Sequence, residues 1–158
     1  MPVFATPVSD DNPHGRYAGE ADVCDVFGVD NVTHWSQLDS SLSTIDHDRV
    51  ARALADADGQ IDAFFRGGPY AVPLTDPADA SLLSTWAATL AGVWLFSSKG
   101  SIASAAELSR IVQLSADIFT DMAKFKSGIK RLSAPAARFP SPSTPDAVSS
   151  DPSSKDGF

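Results

Sequence analysis

The fold is decided by the stretch from Asp46 to Pro77, DHDRVARALADADGQIDAFFRGGPYAVPLTDP. Its first half repeats apolar residues at helical spacing, with Asp, Arg and Gln between them: Val50, Leu54, Ala57, Ile61, Phe64 and Phe65. Asp46 is a suitable N-cap, because its carboxylate can accept a hydrogen bond from an N–H of the first turn. Gly67 to Pro69 end the helix, and an extended, proline-containing loop follows. The stretch therefore predicts an amphipathic helix with one buried face, and then an ordered loop.

Three further helices are predicted around this one. A short helix spans Glu20–Phe27 and ends at Gly28. Another covers Ala80–Phe96 and lacks charged residues over almost its whole length, which indicates a helix at the centre of a bundle or at a subunit interface. The last begins at Ser104 with a capping-box pattern and keeps its helical spacing to Leu132. At ~1.5 Å per residue the last helix is roughly 40 Å long.

The remaining segments are predicted as a loop and two arms. Asn31 to Thr44 is rich in Ser and Thr, and we expect a loop with one helical turn that places Trp35 in the core. Residues 1–16 form an extended N-terminal arm, and the Pro- and Ser-rich residues 133–158 form a C-terminal arm. The fold class is therefore all-α, a four-helix bundle-like adaptor domain at residues 17–132, with a long C-terminal helix and two extended arms.

Length, charge and cysteine content exclude several classes of protein. A chain of 158 residues fits one domain. Its net charge of −8 argues against a protein held to nucleic acid by counterion release. The one cysteine, Cys24, cannot form an internal disulfide and is expected to be a small buried hydrophobe. No segment reaches the ~20 apolar residues that span a bilayer, and the N-terminus lacks a signal-peptide pattern. We expect a protein made in the cytoplasm, without a membrane partner.

No motif in the sequence predicts an active site. His47 and Asp48 lack the additional His and Asp residues of a metal-dependent phosphohydrolase and are read as the start of a helix. The run from Asp56 to Asp62 lacks the spacing of a calcium loop and is read as a solvated helix face, with Gly59 admitting a close neighbour. Gly67 and Gly68 have no Lys-Ser/Thr after them. We therefore expect no catalytic residue, cofactor or metal.

Three parts of the sequence resemble the neck proteins of tailed bacteriophages, the head-completion or head-to-tail connector adaptors of the phage Mu type. They are YAGEAD with VFG at 17–28, DRVARALADA with Ile61, Asp62 and an aromatic pair, and YAVPL at 70–74 before an apolar helix. The resemblance covers Tyr17 to Leu132. The apolar helix is poorer in Arg and Tyr than is typical of this family, and both arms are additional to its pattern.

The resemblance implies a virion protein in the neck between capsid and tail. It implies a homo-oligomeric ring of about twelve subunits under the portal protein, next to stopper or tail-completion proteins, with double-stranded DNA passing through the centre without sequence-specific binding. We expect contacts to other subunits or to the portal from apolar and aromatic residues: Tyr70, Pro73, Leu74, Trp94, Phe96, Phe125, Ile129, Phe139 and Phe158. A basic cluster is expected to contact an acidic partner or the DNA: Lys124, Lys126, Lys130 and Arg131.

Two other functions fit the same residues. A helical cellular adaptor or regulator could use its Pro- and Ser-rich tail to recruit a partner. A small hydrolase could use His47, Asp48 and Asp62, and would then hold a metal.

Overall fold

The computed structural model describes residues 12–39, 41–99, 104–134 and 136. These residues form one 3-10 turn, Pro77–Asp79, and five α-helices: α1 Glu20–Phe27, α2 Val29–Ser36, α3 His47–Phe65, α4 Ala80–Lys99 and α5 Ala105–Lys126. Two isolated bridges are the only β-type pairing within these ranges. The predicted all-α class is confirmed, with one helix more than expected.

Helix α3 forms as its sequence predicts. The Asp46 side chain accepts a hydrogen bond from the Arg49 N–H at 3.1 Å. The helix ends at Phe65, and Gly67 follows with φ of 75°, a conformation that favours glycine. Most of the predicted apolar face is fully buried, and only Phe64 is half-buried; the fully buried residues are Val50, Leu54, Ala57, Ile61 and Phe65.

Helix α4 lies at the centre of the fold, because the other four α-helices all pack against it. Its Trp86 is buried between two rings, stacked on Phe65 of α3 at 6.0 Å and edge-on to Phe125 of α5 at 5.3 Å. The segment Pro77–Lys99 is long and apolar enough to cross a membrane by length and composition alone. Its central position in the bundle accounts for that composition.

Helix α2 lies where the sequence predicted a loop. Gly28, with φ of 87°, ends α1 and allows a second helix to begin at Val29 in a new direction. Trp35 is buried as expected and packs edge-on against Phe27 at 5.3 Å and Phe96 at 5.4 Å. The polar composition did not indicate this helix, which buries two of its apolar residues, Val32 and Trp35, and leaves Val29 exposed.

Helix α5 is shorter than predicted. It begins as expected, since the Ser104 hydroxyl accepts from the Glu107 N–H at 3.2 Å. It ends at Lys126 rather than near Leu132, because Gly128 adopts φ of 80° and turns the chain. Leu132 then folds back and is buried. The helical spacing beyond Lys126 therefore does not reflect a helix.

Two glycines inside helices have opposite surroundings. A Cβ on Gly92 of α4 would lie 2.0 Å from the ring of Phe27, so α1 approaches α4 through the missing side chain. A Cβ on Gly59 of α3 would meet nothing within 4 Å. The expectation that Gly59 admits a close neighbour is therefore wrong, and Gly92 has that role.

Replacing each glycine by alanine should change stability in opposite directions. We expect Gly92→Ala to lower the free energy of unfolding by about 1–3 kcal/mol, because the Phe27 ring must leave its place against Trp35. We expect Gly59→Ala to raise it by about 0.5–1 kcal/mol, because alanine restricts the unfolded chain and favours helix. Urea unfolding followed by circular dichroism measures both. Equal effects of the two substitutions would contradict this account of α4 packing.

Candidate functional site

Tyr17 connects the segment before α1 to α3 and to the loop after α3 through hydrogen bonds of its hydroxyl group. The Tyr17 hydroxyl donates to the Asp62 carboxylate at 2.5 Å and accepts from the Leu74 N–H at 2.9 Å. Burial and the hydrogen bond to Asp62 raise the Tyr17 pKa to about 12. The phenol is therefore neutral at physiological pH and holds three separate parts of the chain together.

The sequence predicted that the run from Asp56 to Asp62 is a solvated face of α3. Two of its acidic residues, Asp58 and Asp62, instead bond to the segment before α1. Asp58 is buried and accepts hydrogen bonds from the N–H groups of Arg16 and Tyr17. Burial raises the pKa of its carboxyl group. Asp62 also pairs with the Arg16 guanidinium. The carboxylates are used to anchor the chain that enters α1.

A second carboxylate anchors the chain that leaves α5. Asp79 is buried, and its two oxygens accept from the Ser133 N–H at 3.1 Å and the Ala134 N–H at 2.9 Å. The Tyr70 hydroxyl accepts from the Leu132 N–H at 3.1 Å, and Tyr70 forms an isolated bridge with Ala136. The first residues of the predicted C-terminal arm are thus bonded to the helical domain.

Three residues predicted to contact partners belong to the core instead. Leu74, Phe96 and Phe125 are only 3%, 6% and 7% exposed. Phe96 packs on Trp35 and Phe125 on Trp86, while the Leu74 backbone is held by Tyr17. Because their side chains are enclosed by the fold, they cannot also form a contact surface, and the prediction for these three residues is corrected.

The other predicted contact residues differ in exposure. Pro73 is exposed, and Ile129 is 77% exposed just beyond α5. Tyr70 and Trp94 are half-buried, with the Arg49 guanidinium 5.5 Å from the Trp94 ring centre. The remaining two, Phe139 and Phe158, lie outside the described residues.

The predicted basic cluster lies on the surface around the end of α5. All four of its side chains are exposed: Lys124, Lys126, Lys130 and Arg131. Lys130 forms an ion pair with Asp121 at 2.9 Å, and Lys126 donates to the Phe64 carbonyl at 2.6 Å. Within the ranges that the structure describes, Lys124 and Arg131 form no ion pair. Much of the positive charge is therefore available to a partner.

The residues of the hydrolase alternative do not come together. His47 begins α3, where its ring lies 2.7 Å from a Glu20 oxygen, and Asp62 is near the other end of the same helix. Fifteen residues of helix separate them by roughly 22 Å. In the described part of the chain, no group of three or more His, Cys, Asp and Glu side chains is arranged to hold a metal ion.

The structure leaves two separate groups of apolar side chains exposed, which the sequence analysis assigned to the core or did not single out. Val26 and Val29, at the junction of α1 and α2, are 42% and 58% exposed, and Leu108 and Val112 of α5 are 52% and 59% exposed. Helical periodicity identifies apolar residues without telling which of them remain uncovered. The charge distribution was a signal visible in the sequence, because no Lys or Arg occurs between Tyr17 and Asp48 and the surface around Val26 and Val29 is therefore acidic.

Residues 17–147 match the family described as Bacteriophage Mu, Gp36. The match covers most of the chain and all five helices. The chain belongs to the bacteriophage Mu Gp36 family. No curated protein matches it.

The Gp36-family match begins at Tyr17, the residue whose phenol fastens the loop before α4. The resemblance noted in the sequence began at the same residue and is confirmed as to a phage family. The match extends past Leu132 to residue 147, so the family pattern includes the segment clamped by Asp79 and part of the predicted C-terminal arm.

Tyr17→Phe should lower stability and remove a pH dependence. Near pH 7 we expect a loss of about 1–2 kcal/mol in the free energy of unfolding, because the Leu74 N–H loses its acceptor and Asp62 keeps only its pairing with Arg16. The folded pKa of about 12 exceeds the ordinary value near 10. The stabilisation is therefore complete below about pH 10 and is lost as pH rises towards 12.

Urea unfolding at pH 8 and pH 11 measures this effect. The stability difference between the wild-type protein and Tyr17→Phe should shrink at pH 11. Tyr70→Phe is the matched control, because it keeps Tyr17 and should keep the wild-type pH dependence above pH 10. A constant difference between the wild-type protein and Tyr17→Phe at the two pH values would contradict the assignment.

Proposed function

We propose that the protein is a head-to-tail connector adaptor of the virion. Copies form a ring beneath the portal, join capsid to tail, and line part of the channel through which DNA passes. The observation that carries this proposal is the Gp36-family match over the entire helical domain. The neck is the location of the proposed ring.

The charge of the chain supports a role as a channel wall. A net charge of −8 repels a polyanion, so DNA can slide past without being held. At physiological salt the Debye length is about 8 Å, which restricts attraction by single Lys or Arg side chains to close contacts. A ring of such subunits would conduct DNA without binding a sequence.

Apolar surface left outside the core supports oligomerisation. Leu108 and Val112 are one helical turn apart on α5, so their exposed side chains lie on the same face of that helix. Exposed apolar side chains grouped in this way are typical of surfaces that bind other proteins. A ring needs two different faces that meet, and α5 supplies one candidate.

The loop from Arg66 to Asp76 supports portal binding. Its conformation is fixed at three points: Gly68 N–H bonds the Phe65 carbonyl, Tyr17 bonds Leu74, and Asp76 accepts from the Ala78 N–H at 2.8 Å. A loop ordered before binding loses little conformational entropy on contact. After the correction of the buried residues, Tyr70 and Pro73 remain as its candidate contacts.

Co-sedimentation with tailless, portal-containing capsids tests the proposal. We expect the protein to pellet with these particles and to add ring-shaped density at the portal vertex in electron micrographs. Capsids assembled without portal are the control and should leave the protein in the supernatant. Protein that stays in the supernatant with both kinds of particle would overturn the connector role and favour a cellular adaptor.

Removing residues 137–158 should weaken binding to the portal-containing particle by about tenfold, because in the proposed complex these residues add interface area. This truncation ends the chain at Ala136, so the hydrogen bonds from the Ser133 and Ala134 N–H groups to Asp79 are kept. Urea unfolding should show unchanged stability for this variant. Unchanged affinity for the particle would show that the C-terminal arm is not a contact.

A further inference from the structure

Two surfaces of the helical domain each combine clustered charge with exposed aliphatic side chains. An acidic patch surrounds the junction of α1 and α2 and consists of Asp22, Asp25, Val26, Val29 and Asp30. A basic patch surrounds the end of α5 and consists of Lys124, Lys126, Ile129, Lys130 and Arg131. Each patch therefore has one predominant sign of charge around exposed aliphatic side chains, and the acidic neighbour of the basic patch, Asp121, is paired with Lys130.

The two patches lie on different sides of the central helix. Helix α1 approaches α4 at Gly92, where the Phe27 ring rests, whereas α5 approaches at Trp86, where Phe125 packs. Six helical residues separate these positions, which places them about 120° apart around α4. No hydrogen bond or ring contact joins α1 to α5 in the described part of the chain. The patches are thus positioned to meet on two different copies.

We infer that the basic patch of one copy binds the acidic patch of the next copy. This inference rests on the proposed ring and identifies the two faces that close it. Such a contact is heterologous, because different surfaces of identical subunits meet, and repetition of it generates a ring. Ile129, which is 77% exposed, would be covered by Val26 and Val29, which are 42% and 58% exposed.

Both patches contain side chains without a partner in their own copy. Within the described residues, Asp25 and Asp30 form no ion pair, nor do Lys124 and Arg131. A depression lined by Asp22, Asp25 and Val26 of α1 and by residues of α4 lies beside the acidic patch. It can admit a lysine side chain from the neighbouring copy.

The composition of the basic patch favours a protein partner over DNA. Phosphate groups would neutralise the cations but would leave Ile129 uncovered, whereas the acidic patch offers carboxylates and two valines together. The net charge of −8 also opposes the approach of DNA at long range. A second copy of the chain satisfies both the charged and the apolar members of the patch.

Charge reversal tests this contact in the full-length protein by sedimentation velocity at low salt. Asp25→Lys with Asp30→Lys should weaken self-association by about tenfold, because repulsion replaces attraction across the contact. Lys124→Asp with Arg131→Asp should do the same. All four substitutions together restore the net charge of −8 and should restore self-association towards the wild-type value. Control variants on the exposed face of α3, Asp56→Lys and Arg52→Asp, should leave it unchanged.

Zero-length cross-linking between carboxylate and lysine side chains locates the contact directly. In an equal mixture of ¹⁴N- and ¹⁵N-labelled protein, assembled on portal-containing particles, we expect mixed-isotope peptides that join Asp25 or Asp30 to Lys124 or Lys130. Reversal variants that self-associate like the wild-type protein, or no such mixed-isotope peptides, would overturn the inference. Basic-patch variants that lose only retention of a DNA fragment would overturn it in favour of DNA.

These outcomes are separate from the test of the proposed function. If the protein forms rings on the portal and the reversal variants do so equally well, the connector role stands and the inferred contact is wrong. If the protein ignores the particles but the four-substitution variant restores self-association, the contact stands and the connector role is wrong.

Discussion

The structure depends on the enclosure of Trp86 between α3 and α5. Its indole is almost completely buried, stacked on Phe65 and edge-on to Phe125, and its N–H donates to Asp121 at 3.3 Å. Replacing a buried aromatic side chain by alanine generally costs about 3–5 kcal/mol, a large fraction of the stability of a small domain. A helix such as α4, which has no charged residue before Lys99, is soluble only when its neighbours cover it, so the positions of the other helices follow from this requirement.

Polar contacts then fix the segments that this packing leaves free. Tyr17 links the entry into α1 to the loop before α4, and Asp79 links the exit from α5 to the start of α4. One link uses the half-buried hydroxyl of Tyr17 and the other the buried carboxylate of Asp79, and each satisfies backbone N–H groups that would otherwise lose hydrogen bonds on folding. The two ends of the described domain are therefore held against the same loop, although they are far apart in sequence.

The sequence predicts well those features that depend on local periodicity and capping. The limits of α1 and the N-caps at Asp46 and Ser104 agree with the structure. Helix α2 was missed because Ser and Thr dominate its surroundings, and its stability comes from the tertiary packing of Trp35. The end of α5 was misplaced because Leu132 continues the helical spacing, although Gly128 carried the signal for a turn. In α2, tertiary contacts stabilise a helix that the local sequence does not favour. At the end of α5, the prediction followed the apolar periodicity and gave too little weight to the local turn signal of Gly128.

The candidate site was harder to predict, because core and contact residues have the same chemistry. Leu74, Phe96 and Phe125 have the apolar side chains of an interface, and only their burial separates them from Ile129. Charge distribution is more informative, since the lack of Lys and Arg from Tyr17 to Asp48 is visible in the sequence. What the structure adds is that this acidic segment and the basic end of α5 lie on different sides of α4. Copies with a net charge of −8 repel one another, so any ring they form needs local attraction between unlike patches at distances below the Debye length of about 8 Å. In the proposed ring the same arrangement would leave the net negative charge of the subunits unneutralised, and such a charge would let DNA pass without being bound.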